Sequence, residues 1–303
     1  MLPRSMPYCI FAASGSSLES VRNHARLRQP LPCGEAKDRE NLIMPMVSVV
    51  LTTYNRASLL CETIASILAQ SFTDFELIIV DNMSEDATGD RVEGFHDPRI
   101  RYFRNPNDGI ISVNRNFGIG KACGKYIAFC DDDDLWMKGK LEKQVRQMES
   151  SVNAGLCYTN GSSFCENVTI DERILKYRVN DNFFHALLRS NFVPTSSVLI
   201  RASVLPHTGL FNEDRNTVTV EDYEMWLRIA HKYQLVCVDE PLIQYRIHKE
   251  GNLGLRKRKF VLQIDLLRSI RSKCDLGFFN FYKVLLWQWL QYLYRSLRIV
   301  IAK

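Results

Sequence analysis

Short apolar runs, each closed by polar residues, constrain this chain more than any other feature. Val47 to Leu51, Phe75 to Val80, Ile100 to Phe103 and Tyr126 to Cys130 each have the length of a buried strand. Between the first two, Leu59, Leu60, Ile64, Ile67 and Leu68 recur on one helical face. Apolar strands alternating with helices indicate a parallel sheet covered by those helices, because a parallel connection needs a long crossover. In such sheets ligands bind beyond the carboxyl ends of the strands. The polar residues fall at those ends: Thr52, Thr53, Tyr54 and Asn55 after the first run, Asp81 and Asn82 after the second, and Asp131 to Asp134 after Cys130.

Beyond about residue 150 the order loosens. Helical patterns at Asn182 to Arg189 and Val220 to Lys232 alternate with strand-like runs at Ser197 to Ile200 and Leu235 to Tyr245, which predicts a mixed second half on the same sheet. Residues 1–45 mix Pro, Arg, Ser and Gly without periodicity and read as a loosely ordered extension, and Met44 and Met46 are both candidate start positions. With 46% hydrophobic and 24% charged residues among 303, the chain can bury a large α/β core. The formal charge of +5, without basic residues interleaved with an aromatic array, excludes nucleic acid as a partner. Nine scattered cysteines with no Cys-x-x-Cys pair argue against a disulfide framework or zinc site and suit a reducing compartment. The sequons at Asn160 and Asn167 are then chance matches. Tyr8 to Ala13 is too short for a signal-peptide core and no run is apolar enough to span a bilayer, so a cytoplasmic location is expected.

Four consecutive carboxylates, Asp131 to Asp134, directly follow a buried strand. They repel one another unless a cation binds or the side chains splay into water. Hard oxygen ligands of this kind suit Mg²⁺ or Mn²⁺ shared with phosphate oxygens. The structural alternative makes Asp134 the cap of a helix beginning near Leu135.

Read together, the ordered motifs resemble the family 2 glycosyltransferases over about residues 46–250. Val47 to Arg56 is similar to that family's opening strand and nucleotide loop, and Ile78 to Asn82 to its second strand end. Asn114-Arg115-Asn116-Phe117-Gly118, followed by Tyr126 to Trp136, resembles its Arg-Asn-x-Gly segment and Asp-x-Asp motif, with Cys130 where a larger apolar residue is usual. The resemblance implies a GT-A-type α/β fold, a mainly parallel sheet flanked by helices, with a C-terminal helical tail. It divides the chain into a nucleotide-binding half (46–150), an acceptor half (151–252) and a tail (253–303).

That likeness also implies the chemistry: inverting transfer of a single sugar from a nucleotide diphosphate sugar, with a UDP-sugar the expected donor, to a hydroxyl of a glycan, lipid-linked or other acceptor. The setting would be cell-surface polysaccharide or glycan synthesis. Thr52 and Tyr54 would flank base and ribose, and Asp81 would accept from the base, although Asp81-Asn82 also suits a plain turn. Arg115 would reach the nucleotide or its phosphates. Asp131 would hold the ribose and Asp133 an Mn²⁺ or Mg²⁺ ion, which neutralises the departing diphosphate. Thr219 to Trp226 resembles the family's Glu-Asp segment, making Asp222 the general base and Glu221 the next candidate. Thr219 and Asp222 also have the spacing of a capping box. Tyr245-Arg246-Ile247-His248 resembles a late segment whose His lies near metal or diphosphate. Pro194 to Ser197 and Gly209 to Glu213 resemble acceptor-side segments.

Other enzyme classes fit less well. Gly118, Gly120 and Gly124 miss the dinucleotide-binding spacing, Thr52 to Arg56 lacks the glycine-rich loop of nucleotidyltransferases, and the membrane spans and Gln-x-x-Arg-Trp motif of processive synthases are missing. A protein that binds a nucleotide sugar without turnover is the remaining alternative.

From Phe278 the sequence is rich in aromatics. On a helix Gln288, Gln291, Arg295 and Arg298 fall on one face, and Leu286, Trp289, Leu293, Leu297 and Val300 on the other. With Arg256 to Lys259 upstream, this pattern suits a peripheral helix on the inner face of a membrane, or docking on the catalytic domain or a second copy in a homo-oligomer.

Overall fold

All seven residues of β1 (Val47–Thr53) are buried, and so are all seven of β2 (Phe75–Asp81). Unbroken burial is what a strand covered on both faces shows, and each fully buried Val, Leu or Ile contributes roughly 1.5–3 kcal/mol through the hydrophobic effect. The computed structural model describes residues 44–248 except 167 and 176–181, together with 266, 269–271, 273, 274, 282, 283, 286, 289 and 290.

The remaining strands are β3 (Ile100–Arg104), β4 (Tyr126–Asp131), β5 (Leu135–Trp136), β6 (Ala154–Cys165), β7 (Val168–Asp171), β8 (Leu199–Arg201) and β9 (Gln234–Arg246). The helices are α1 (Ala57–Leu68), α2 (Thr88–Glu93), α3 (Ile111–Lys121), α4 (Lys140–Ser150), α5 (Phe183–Arg189), α6 (Leu205–Thr208) and α7 (Glu221–Lys232). One sheet runs β3-β2-β1-β4-β8-β6-β9-β5, with β7 paired to β6. The pairs β3–β2, β2–β1 and β1–β4 are parallel, in line with the apolar runs that predict them. Past β4 the sheet is mixed: β8 is antiparallel to both β4 and β6, β6 and β9 are parallel, and β5 is antiparallel to β9.

Topology places the chemistry. β1 lies between β2 and β4 with Thr53 level with Asp81 and Thr52 level with Asp131, so the polar ends of three strands meet at one edge. α3 packs on this layer through Gly118, where a Cβ would lie 2.5 Å from Val50 Cγ1. That close approach seats Arg115, one turn earlier, against the strand ends.

Two local expectations need correction. Leu135 begins no helix: Leu135 and Trp136 form β5, and α4 starts at Lys140 with Gly139 before it. Cys61, Cys130, Cys157, Cys165 and Cys274 are free thiols, but Cys123 is disulfide-bonded, which the reading of the cysteines as a reduced set did not anticipate.

In the tail, Leu266, Ile270 and Cys274 are buried, and Lys273 Nζ lies 2.8 Å from Glu224 Oε1 of α7. Tyr282, Leu286, Trp289 and Leu290 are exposed. The polar-face residues Gln288, Gln291, Arg295 and Arg298, the basic run Arg256 to Lys259 and the extension over 1–43 lie outside the described residues. Among those described, no helix is long and apolar enough to cross a membrane.

Candidate active site

The loops after β1 and β2 and the turn before α7 have unusual backbone. Asn55 after β1 and Met83 after β2 have φ of 50° and 58°, and Thr219 before α7 has φ of 81°. Left-handed backbone is uncommon outside glycine and most costly for a β-branched residue, so Thr219 is the most strained of the three.

Asp81 is buried at the end of β2. It accepts from Ser84 N at 2.9 Å, from Ser84 Oγ at 2.5 Å and from Tyr102 Oη at 2.5 Å, with Arg104 Nε 3.7 Å away. The Ser84 contacts are those of a turn, so the structural role is present in full, with the carboxylate at the strand end where a ligand would lie. Thr52 is buried beside it, and Tyr54 is 52% exposed.

The four acids after β4 divide their work. Asp131 Oδ1 accepts from Arg115 Nη2 at 2.8 Å. Asp132 Oδ1 accepts from Arg56 Nη1 at 2.9 Å and its Oδ2 from Thr53 Oγ1 at 2.8 Å. Asp133 Oδ2 lies 2.7 Å from the same Arg56 nitrogen and 2.8 Å from His248 Nε2. Asp134 accepts from Ser196 Oγ at 2.6 Å and from Arg246 N at 2.9 Å. It therefore caps no helix, but fastens the acid loop to the 195–197 turn and to the end of β9. Burial pushes the Asp134 carboxyl well up, and Asp131 adds to the shift. Asp132 also moves up, because burial outweighs the half-exposed Arg56.

α7 supplies the other acids. Its N-cap is Val220 and no side chain caps it, so the Thr219 capping box does not form. Asp222 Oδ2 accepts from Thr195 Oγ1 at 2.9 Å, and Oδ1 from Tyr223 N at 2.6 Å. Its carboxyl is pushed up to about 6, first by burial and then by Glu221, against the lowering effect of Arg115. Such a value suits a group that gains and loses a proton near neutral pH. Glu221 Oε1 accepts from Arg115 Nη1 at 2.8 Å. Arg115 is thus neither a surface residue nor an open reach toward phosphate: it is 5% exposed and forked between Asp131 and Glu221.

The fold brings Asp131, Arg115 and Glu221 into one ion-pair chain, and Asp133 and His248 side by side. Sequence alone assigns no role to Arg56, Thr53 or Ser196. Arg56 and Ser196 stand within segments already singled out, but nothing local marks Arg56 as bridging two acids. Among the described residues, no group of three or more His, Cys, Asp or Glu is arranged to hold a metal ion.

The model of Glycosyl transferase family 2 matches residues 48–208, more than half of the chain. An uncharacterized glycosyltransferase of Rickettsia felis is 33% identical over 218 residues, covering 71% of this chain and 35% of that protein. The chain spans about a third of the length of the first curated relatives it matches. A UDP-Glc:alpha-D-GlcNAc-diphosphoundecaprenol beta-1,3-glucosyltransferase of Escherichia coli, WfaP, is 27% identical over 232 residues, 76% of this chain and 88% of that one. Among solved structures, S. aureus TarS 1-349 in complex with UDP-GlcNAc superposes with a TM-score of 0.63 at 18% identity, over 79% of this chain and 70% of that one. The mannosyltransferase PcManGT of Pyrobaculum calidifontis, in complex with GDP-Man and Mn²⁺, gives 0.58 at 19% identity, over 83% and 70%. The fold is therefore of the GT-A kind that the motifs implied. With the family model running from β1 through the acids of β4 to α6, the chain belongs to glycosyl transferase family 2.

Proposed function

We propose that this chain is an inverting glycosyltransferase that moves a single sugar from a UDP-sugar to a hydroxyl of a lipid-linked or glycan acceptor, with Asp222 as general base. The observation that carries this reading is the state of Asp222: half-buried, hydrogen-bonded by Thr195, and pushed up to about 6. An inverting displacement needs a base opposite the leaving group that is ionised at working pH yet basic enough to take the acceptor proton. Thr195 orients the carboxylate, and Asp222 takes the proton as the acceptor oxygen bonds to the anomeric carbon.

On the donor side, Thr52, Tyr54 and Asp81 would receive the base and ribose, and Asp131 the ribose hydroxyls. Asp133 and His248 present an oxygen and a nitrogen 2.8 Å apart, close enough to converge on one Mn²⁺ or Mg²⁺ ion. Two protein ligands fit an ion whose remaining ligands come from the diphosphate. Bound there, the cation would supply Lewis-acid neutralisation of the leaving group. Residues 46–150 bind the donor on this reading, 151–252 the acceptor, and 253–303 form the tail.

The choice of UDP and of a lipid-linked acceptor is supported by names of relatives: WfaP pairs UDP-Glc with a diphosphoundecaprenol-linked sugar, and TarS binds UDP-GlcNAc. A lipid-linked acceptor suits a protein held at the inner face of a membrane, and the exposed Leu286, Trp289 and Leu290 support that placement of the tail. Polysaccharide synthesis is the matching process.

Incubating the full chain with UDP-glucose or UDP-GlcNAc and Mn²⁺ tests the reading, with free UDP as the readout. Slow release without acceptor, accelerated by a polyprenyl-diphosphate-linked sugar, is the expected result. Tight UDP binding with no release from any donor would make the chain a nucleotide-sugar-binding protein instead.

A further inference from the structure

Arg115 connects two acids that lie 16 and 106 positions away along the chain. Its fork spans Asp131 Oδ1 and Glu221 Oε1, each at 2.8 Å, and its Cζ stands 5.4 Å from the centre of the Phe211 ring. Glu221 is 5% exposed, and its second oxygen, Oε2, is buried without a hydrogen-bond partner. An unpaired carboxylate oxygen in the interior is costly, and replacing Glu221 by a neutral or apolar residue would relieve it. Burying the negative charge beside Asp222 instead gives that residue a like-charged neighbour on its own helix.

We propose that Arg115 and Glu221 are positioning residues: with Asp131 they form a charge bridge that ties the strand-end carboxylate to the helix carrying the base and sets how readily Asp222 takes up a proton, without either touching a substrate. The inference rests on the reading of Asp222 as the base and adds how its basicity is set. The helix of Asp222 contributes Glu221, which opposes ionisation, and the Tyr223 N–H, which favours it. α3 contributes Arg115 and the 195–197 turn contributes Thr195, both favouring the charged form. β9 contributes the Tyr245 phenol, itself pushed up to about 12 by burial and then by Asp134, Asp131, Asp133 and Asp222. Two of these groups carry full charge against Asp222, one of each sign, and they are paired with one another. Changing either must move Asp222 in opposite directions, and removing both must nearly cancel.

The test is a carboxyl titration by ¹³C NMR on the full chain labelled at its aspartate carboxyls, with the Asp222→Asn spectrum identifying the signal. Glu221→Gln keeps an oxygen to accept from Arg115 but loses the charge, so the Asp222 midpoint should fall by about half to one pH unit, the scale of one nearby charge. Arg115→Gln should raise it by a similar amount, and the double variant should return it close to the unmodified value. Arg115→Gln strands two acids and is the variant at risk of misfolding; Glu221→Gln decides the matter alone. No movement in Glu221→Gln, or movement upward, overturns the bridge. The titration needs no turnover, so a chain that shows the opposed shifts yet transfers no sugar would keep the bridge and lose the glycosyltransferase reading.

Discussion

The acids at the end of β4 and the acid on α7 are the same functional group in two kinds of company. Asp131 faces Arg115, and Asp132 and Asp133 share Arg56, all through contacts of 2.7–2.9 Å to guanidinium nitrogens. Asp222 accepts instead from a hydroxyl and a backbone amide, with another acid one residue away. Fixed cations offset the mutual repulsion of a carboxylate cluster, so the cluster can be held ready for a ligand without waiting for it. Neutral donors orient a carboxylate while leaving burial and the like-charged neighbour to raise its proton affinity. On the proposed reading the difference separates binding from proton transfer, and it can be broken one side at a time.

The largest effect is expected from Asp222→Asn, which keeps the shape and removes the proposed base. Turnover should fall by about two to four orders of magnitude, the range for losing general-base catalysis, with UDP affinity nearly unchanged. A near-normal rate would move the base elsewhere, to Glu221 first. Next comes Asp133→Ala, read by calorimetric titration of UDP with and without Mn²⁺. Mn²⁺-dependent affinity should drop by about tenfold to a hundredfold, the scale on which metal sites respond to lost supporting residues. Equal affinity for UDP in the variant, with the metal effect intact, would remove Asp133 from the site.

A smaller effect concerns pH. If Asp222 is the base it must be ionised, so kcat/KM should decline as pH falls below about 6, by close to tenfold per unit, while UDP affinity should not follow the same limb. The smallest is thermal. The folded-state affinity of Asp222 for protons exceeds that of the unfolded chain, so the folded form binds more protons between about pH 4 and 6 and loses stability as pH rises through that window. Asp222→Asn should therefore raise Tm by a few degrees at pH 7.5 and by clearly less near pH 4.5, measured by calorimetry. A Tm that falls at pH 7.5 would give Asp222 a structural role.

What the sequence disclosed follows from where the signals reside. β1, β2 and β4 are buried on both faces, and their apolar runs mark them without any knowledge of neighbours. β6 carries Thr159, Asn160 and Ser163 into the interior and so reads as no strand at all, yet it is the partner of β7, β8 and β9. β5 is two residues long and exists because Leu135 and Trp136 pair with Gln244 and Ile243, a contact no local window contains. The site divides the same way. The acid run and the Glu-Asp pair are legible as residues, but Arg56 bridging Asp132 and Asp133, Ser196 fastening Asp134, and the burial of Arg115 all depend on which segments the sheet brings together.

β9 closes the site from far along the chain: Arg246 N reaches Asp134 and His248 reaches Asp133 across 112 and 115 positions. Contacts of such sequence separation carry a large loop-closure cost and are gained late in folding. A fragment ending where the family match ends, at residue 208, would carry all four β4 acids and neither α7 nor the strand that completes their surroundings. Interactions absent from the folding transition state govern how fast a protein unfolds, not how fast it folds. A nucleotide seated among these residues should therefore lengthen the lifetime of the folded chain and leave its rate of folding where it was.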